Sequence, residues 1–500
     1  MKMLCLSAGL SQRKFWSRLL LALWLPGALH AQVVINEILV DNQESLPNGA
    51  GKFTTWVELY NPTAQAVNIA GWGLTDSTAA PGKYLFPAGT VVPTKGFLLV
   101  WCDDSTNTAG LHTIWSLKST TDDVALYNGA GQLIDYVAFG LQLLDISLGR
   151  YPDGSATLKP GTPSPLGANT ALPLGTVGVG TVKINEWMAK PASGDDWFEL
   201  YNTSDLIIDL GGLFLADTTD LTGWANPSMP PYSFMAAHGY LKIVADEKKT
   251  NEADHVNFKL STTGETLAIV GANHSTVIDS VVFGAQTENI SQGRMPDGSD
   301  NFVFFTPAGK STPGDSNFQT ITNVVINEIL AHTDIPLEDA IELYNPTAEA
   351  VNISYWWLSN SRDDVKKFRI PNGTTIPAGG YKVFYEYQFN PDRTGTGRSF
   401  TLNSAKGDQV YLYSASSDTS GTLLGARVYK EFDATENGVS LGRYVTSEGK
   451  TDFVPMSRMT LGTSVTATDP AEKISVFRTG AGAANVYPKV GPLVISEVMY

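Results

Sequence analysis

One phrase is written into this chain three times at domain-length intervals. Ile35-Asn36-Glu37 returns as Ile184-Asn185-Glu186 and again as Ile326-Asn327-Glu328. Each copy leads into a second phrase: Glu58-Leu59-Tyr60-Asn61, Glu199-Leu200-Tyr201-Asn202 and Glu342-Leu343-Tyr344-Asn345. The start-to-start spacings are 149 and 142 residues, with a further 169 to a partial copy at Ile495-Ser496-Glu497. Solenoid repeats run to only about 20–50 residues. These units are long enough to bury cores of their own, as single domains of about 100–150 residues do. Beads on a string is therefore the expected organisation. Three copies of one domain occupy 32–169, 182–317 and 324–468, a linker 469–492, and a truncated fourth copy 493–500.

Residues 1–31 read as a secretory signal peptide. Lys2, Arg13, Lys14 and Arg18 make a basic start, residues 19–25 an apolar run, and Ala28-Leu29-His30-Ala31 a cleavage site before Gln32. The run is too short to span a bilayer, and the mature chain has no second one. Removing four basic residues takes the net charge from −16 to −20. It also removes Cys5, so Cys102 stands alone without a disulfide partner. A secreted or cell-envelope location is expected, with stability coming from cores rather than crosslinks.

The mature sequence alternates as strands do, and helical periodicity is hard to find. In the opening strands Val33, Ile35, Glu37 and Leu39 are expected on one face, as are Val182, Ile184, Glu186 and Met188, and Val324, Ile326, Glu328 and Leu330. The next strand sets Val57 and Leu59 against Trp56, Glu58 and Tyr60. A hairpin follows at 124–127 and 133–137, then the closing phrase Ser147-Leu148-Gly149-Arg150 and the turn Pro152-Asp153-Gly154-Ser155. Seven to nine short strands per unit, with frequent turn signals, give an all-β antiparallel sandwich. Residues 170–181 and 318–323 join the units.

In that order these phrases resemble the lamin tail domain, and the resemblance covers nearly the whole mature chain. It implies an immunoglobulin-like β-sandwich in tandem, of the kind found in exported bacterial proteins. The third unit departs from the pattern. Val445-Thr446-Ser447-Glu448 replaces the Pro-Asp-Gly-Ser turn, and an ending like Thr312-Pro313-Gly314 is missing.

The repeated glutamates are the first residues to weigh for chemistry. Glu37, Glu186 and Glu328 alternate onto an apolar face, where a carboxylate needs a partner. Each unit closes with one arginine: Arg150, Arg294 and Arg443. The expectation is a structural ion pair between that arginine and a repeated glutamate, either this one or its neighbour Glu58, Glu199 or Glu342. The functional alternative is a paired-carboxylate acid/base site. Three copies of one active site in one chain would be unusual, whereas fold-defining residues recur with their fold.

Other constellations are weak. Acidic pairs such as Asp103-Asp104, Asp122-Asp123, Asp246-Glu247 and Asp363-Asp364 lack calcium-loop spacing; solvated turns are expected, with calcium a lesser possibility. No two histidines have zinc spacing, and no nucleophile elbow is present. Cys102 reads as a small buried hydrophobe. The acidic charge and the lack of a Lys/Arg run oppose nucleic-acid binding; Lys248-Lys249 is an isolated pair. Trp115, Trp224 and Tyr387 lie outside the repeated pattern and could stack on sugars.

No catalytic residue, cofactor or metal site is therefore expected within these residues. The reading is an exported modular protein whose sandwiches act as spacers and adhesion or binding modules. The sequence names no partner; a cell-surface or extracellular protein or a glycan is compatible with it, and nucleic acid is not expected. The resemblance implies one alternative: a non-catalytic array preceding a nuclease-like or spore-coat-kinase-like domain beyond residue 500. A carbohydrate-binding array is the other.

Overall fold

Strand alternation builds the same two-sheet unit three times. The computed structural model describes residues 33–490, apart from 106–108, 223–226, 248–251, 336, 363, 392–398 and 462–469. The signal peptide, the fourth copy with Glu497, Trp224, Lys248, Lys249 and Asp363 lie outside the described residues. In the first unit one sheet is ordered Thr170–Ala171, Leu158–Thr162, Ser147–Arg150, Val34–Leu39, Trp56–Tyr60, Phe97–Trp101. A second sheet is ordered Tyr84–Leu85, Gly73–Thr75, Asp122–Tyr127, Leu133–Phe139. The core lies between them: Ile35, Val57, Leu59 and Val100 from one side meet Leu74, Val124, Leu126 and Phe139 from the other.

The second unit repeats this with Tyr240–Ala245, Asp196–Asn202, Val182–Met188 and Gln292–Arg294 adjacent in one sheet. Phe214–Ala216, Glu265–Val270 and Val277–Phe283 form the other. The third sets Tyr381–Tyr385, Ala340–Tyr344, Val325–Leu330 and Leu441–Val445 against Trp357–Ser359, Asp408–Ala415 and Leu423–Phe432. No described helix is long and apolar enough to cross a membrane.

The opening strands do not alternate as expected. The pairing register slips between Ile35 and Glu37, between Ile184 and Glu186, and between Ile326 and Glu328. In each case an asparagine is the extra residue of a β-bulge, and a bulge reverses the facing of everything after it. Core contacts therefore come from Val33, Ile35, Ile38 and Val40, while Leu39 packs with Trp56 and Trp101 in a separate cluster. Glu37 follows Leu39 and turns away from the main core, as do Glu186 and Glu328 in their units.

Within the segment 469–492, expected to be a linker, the described residues 470–490 pack as part of the third unit. They contain the helix Pro470–Phe477, whose Phe477 is 1% exposed and packs with Leu330, Val383, Tyr385 and Leu461. Arg478 pairs with the buried Glu338 at 2.6 Å. The short connectors are also structured. Leu174–Gly175 pairs in parallel with Ile207–Asp209, and Gln319–Thr320 with Leu423–Phe432.

Neighbouring units interlock. Leu141 of the first unit enters the second unit's core, and Phe234 of the second enters the first. Backbone bonds Gly140 N to Pro231 O and Phe234 N to Leu141 O, both 2.8 Å, stitch the exchange. Gly140 permits this approach: a Cβ there would lie 2.0 Å from Ser233 Oγ, and the packing would have to shift. At the second junction Arg427 donates to Asp315 Oδ2 at 2.7 Å and lies over the Phe318 ring.

Candidate functional site

The repeated glutamates meet one another across the two central strands of each unit. Register places Glu37 opposite Glu58, Glu186 opposite Glu199 and Glu328 opposite Glu342. All six are fully buried. The bulge asparagine reaches across: the Nδ2 of Asn36, Asn185 and Asn327 donates to Glu58, Glu199 and Glu342 at 3.3, 3.2 and 2.6 Å. The serine of the closing phrase donates from the other side, Ser147 to Glu37 at 2.6 Å, Ser291 to Glu186 at 2.5 Å and Ser440 to Glu328.

A closing segment then covers each pair. Ser164, Thr312 and Thr460 each give both the backbone N–H and the hydroxyl to Glu37, Glu186 and Glu328 respectively. The amides of Leu166, Gly314 and Ala483 donate to Glu58, Glu199 and Glu342. One asparagine seals each lid. Asn169, Asn317 and Asn485 donate to the carbonyls of the bulge asparagine and of the closing arginine at 2.8–3.0 Å. The closing phrase needs its glycine for this approach. A Cβ at Gly149 or Gly442 would lie 2.8 Å from the sealing asparagine's nitrogen, and at Gly293 it would strike Asn185 O at 2.5 Å.

Burial without a facing cation pushes these carboxyls up. Desolvation is the largest cause in all six, and the paired glutamate adds repulsion in Glu58, Glu199 and Glu342. Those three rise to about 8, 9 and 8. Each pair thus keeps a proton at neutral pH, since two unpaired charges cannot share a dry site. Acid/base hydrolysis also uses paired carboxylates, but it needs substrate within reach. Here the oxygens accept from protein donors and have no solvent-exposed surface.

The arginines do not pair with the glutamates. Arg150 binds both oxygens of Asp135 at 2.9 Å, and Arg294 those of Asp279 at 3.1 and 3.0 Å. Each bridges the two sheets and also donates to the carbonyl before the bulge, Ile35 or Ile184. In the third unit Val428 stands opposite Leu412, where Asp135 faces Leu126 and Asp279 faces Ile269. Arg443 is half-buried, and no described carboxylate pairs with it. The altered turn has a related effect. Asp153 and Asp297 accept from Asn36 and Asn185, whereas Asn327 uses Asn485 Oδ1 at 3.1 Å.

The bridging asparagines and closing serines stand inside the repeated phrases, so their repetition could have marked them. Asp135 and Asp279 lie on the opposite sheet, and Asn485 lies 25 residues beyond Thr460, so neither leaves a local signal.

The weaker candidates are largely structural. Cys102 is fully buried and its thiol is pushed up, mainly by desolvation. Trp115 is a core residue, and Tyr387 is 43% exposed with Arg478 stacked on it. Asp103 and Asp246 are not solvated turns; each bonds a histidine nine residues on, His112 or His255. A cleft of about 330 Å³ lies where the second and third units meet, lined by Tyr201, His238, Tyr240, Arg362, Tyr413 and Arg427 among others.

A family model described as Lamin Tail Domain matches residues 27–140, 177–285 and 318–430. Each match contains both glutamates of a pair and stops short of the lid that covers them. No curated protein and no solved structure matches the chain.

Proposed function

Because the chain belongs to the lamin tail domain family, with three copies in tandem, we propose that it is an exported, non-enzymatic scaffold holding its sandwiches in a fixed arrangement. The observation that carries this reading is the interlocked first junction, where Leu141 and Phe234 sit in each other's cores. Flexible beads would leave such side chains within their own units. A second support is that the repeated polar residues are consumed within the fold, which leaves recognition to surfaces that differ between units. The cleft between the second and third units is the place we assign to a binding partner. Its tyrosines and the Arg427 guanidinium lining it suit a polyhydroxylated ligand such as a glycan.

Small-angle scattering on the full chain tests the scaffold role. One rigid envelope matching the structure is expected, and a broad distribution of inter-unit distances would overturn it. Fractionation of cells expressing the chain, with mass spectrometry of the amino terminus, tests export. A mature start at Gln32 outside the cytoplasm is expected, and an uncleaved cytoplasmic product would contradict it.

A further inference from the structure

We propose that the second unit carries a divalent-cation site formed by Glu252, Asp254 and His255. One carboxylate oxygen of Glu252, one of Asp254 and a ring nitrogen of His255 lie within 4.8 Å of one another. His255 Nε2 stands 3.6 Å from Glu252 Oε2. That is long for a hydrogen bond. It fits two ligands on a tetrahedral ion, which stand roughly 3.4 Å apart when each bond is near 2.1 Å.

Three further observations point to a ligand. His255 Nδ1 bonds Asp246 Oδ2 at 3.1 Å, and that aspartate side chain has no exposed surface. A buried carboxylate on one ring nitrogen fixes the tautomer and presents the other nitrogen's lone pair, as in metal sites generally. Asp254 Oδ1 is shut off from solvent and has no hydrogen-bond partner among the described residues. The backbone is also held: Ala253 is in the core, Asp254 O accepts from Val244 N at 2.8 Å, and His255 pairs with Val244 in the sheet.

The first unit provides an internal comparison. His112 bridges to Trp101 as His255 pairs with Val244, and it bonds Asp103 at 2.9 Å. There, however, Nε2 meets the carbonyl of Ala109 at 3.2 Å. The Asp–His pair is thus the shared element that closes this loop. In the second unit the remaining nitrogen instead stands 3.6 Å from Glu252, beside Asp254. One imidazole with two carboxylates suits zinc or a neighbouring first-row ion rather than calcium, which takes oxygen ligands.

Isothermal titration of the full chain with zinc chloride, after treatment with a chelator, tests the site. Wild type should bind one equivalent that Asp254→Asn and His255→Ala both lose. Asp246→Asn should weaken binding about 10- to 100-fold by releasing the imidazole, and His112→Ala should leave it unchanged. Asp254→Asn keeps the side-chain shape, and its melting in chelator should match wild type, which separates lost ligation from lost folding. Absence of uptake by wild type would overturn the proposal and leave His255 as a hydrogen-bond partner of Asp246. Uptake undiminished by Asp254→Asn and His255→Ala would overturn it equally.

Discussion

Glu58, Glu199 and Glu342 occupy a place in each unit where a charge is neither hydrated nor faced by a cation. Their raised values mean that the folded chain holds a proton which the unfolded chain releases near the ordinary 4.5. The linked stability is fully present below about pH 4.5 and drains away as pH climbs through 8 to 9. Melting temperature should therefore fall between pH 6 and pH 9.5. Glu199→Gln, which mimics the protonated form, should flatten that fall in the second unit's transition; an unchanged slope would count against the shared proton. The arginines give a contrast at the same scale. Arg294→Met takes the bidentate partner from the buried Asp279, leaving it Lys183 at 3.3 Å and the Ile184 N–H, and should cost about 3 kcal/mol in denaturant unfolding. Arg443→Met strands nothing and should cost less than about 1 kcal/mol. Equal losses would contradict the assignment. The third unit also shows that the fold tolerates loss of the pair when an apolar residue, Val428, takes the aspartate's place.

At the scale of elements, the bulge and the lid are one device. An ordinary strand would aim Glu37 into the apolar core; the bulge at Asn36 aims it outward, and residues 164–169 cover it with donors. The two earlier units close this lid within six residues, from Ser164 to Asn169 and from Thr312 to Asn317. The third inserts the helix Pro470–Phe477 between Thr460 and Asn485, yet delivers the same bonds. Asn485→Ala should thus destabilise the third unit by about 1–3 kcal/mol, the cost of leaving buried polar groups unpaired. Unfolding that leaves the third unit's transition unmoved would show that the segment is a tether after all. The strand that this lid packs against was legible from the serine, glycine and arginine of the closing phrase. The sealing asparagine was not, because nothing local ties residue 485 to residue 327.

For the whole molecule, the junctions decide whether three sandwiches act as one body. Gly140→Val would drive a side chain into Ser233 and Pro230, which a Cβ at this position already meets at 2.0 and 3.1 Å. The expected result is an expanded scattering profile with each unit still folded, because the clash lies between cores rather than within one. A profile identical to wild type would mean that the junction is softer than its packing implies. The second junction has a similar constraint, since a Cβ on Gly425 would lie 2.2 Å from Met295 Cγ.

The sequence by itself determined the number of units, their sandwich class and most strands, because repetition and two-residue alternation are local properties that survive without a partner. Tertiary structure decided what the repeated polar residues are for. A one-residue bulge changes which face a glutamate takes, and a buried arginine chooses among carboxylates by distance in space. Asp135 on the opposite sheet could reach Arg150, while the glutamates, turned behind the strand, met each other. Whether the units hang loosely or lock together rests on the exchange of Leu141 and Phe234. No local pattern marks either residue for its neighbour's core, because the exchange is a contact between units.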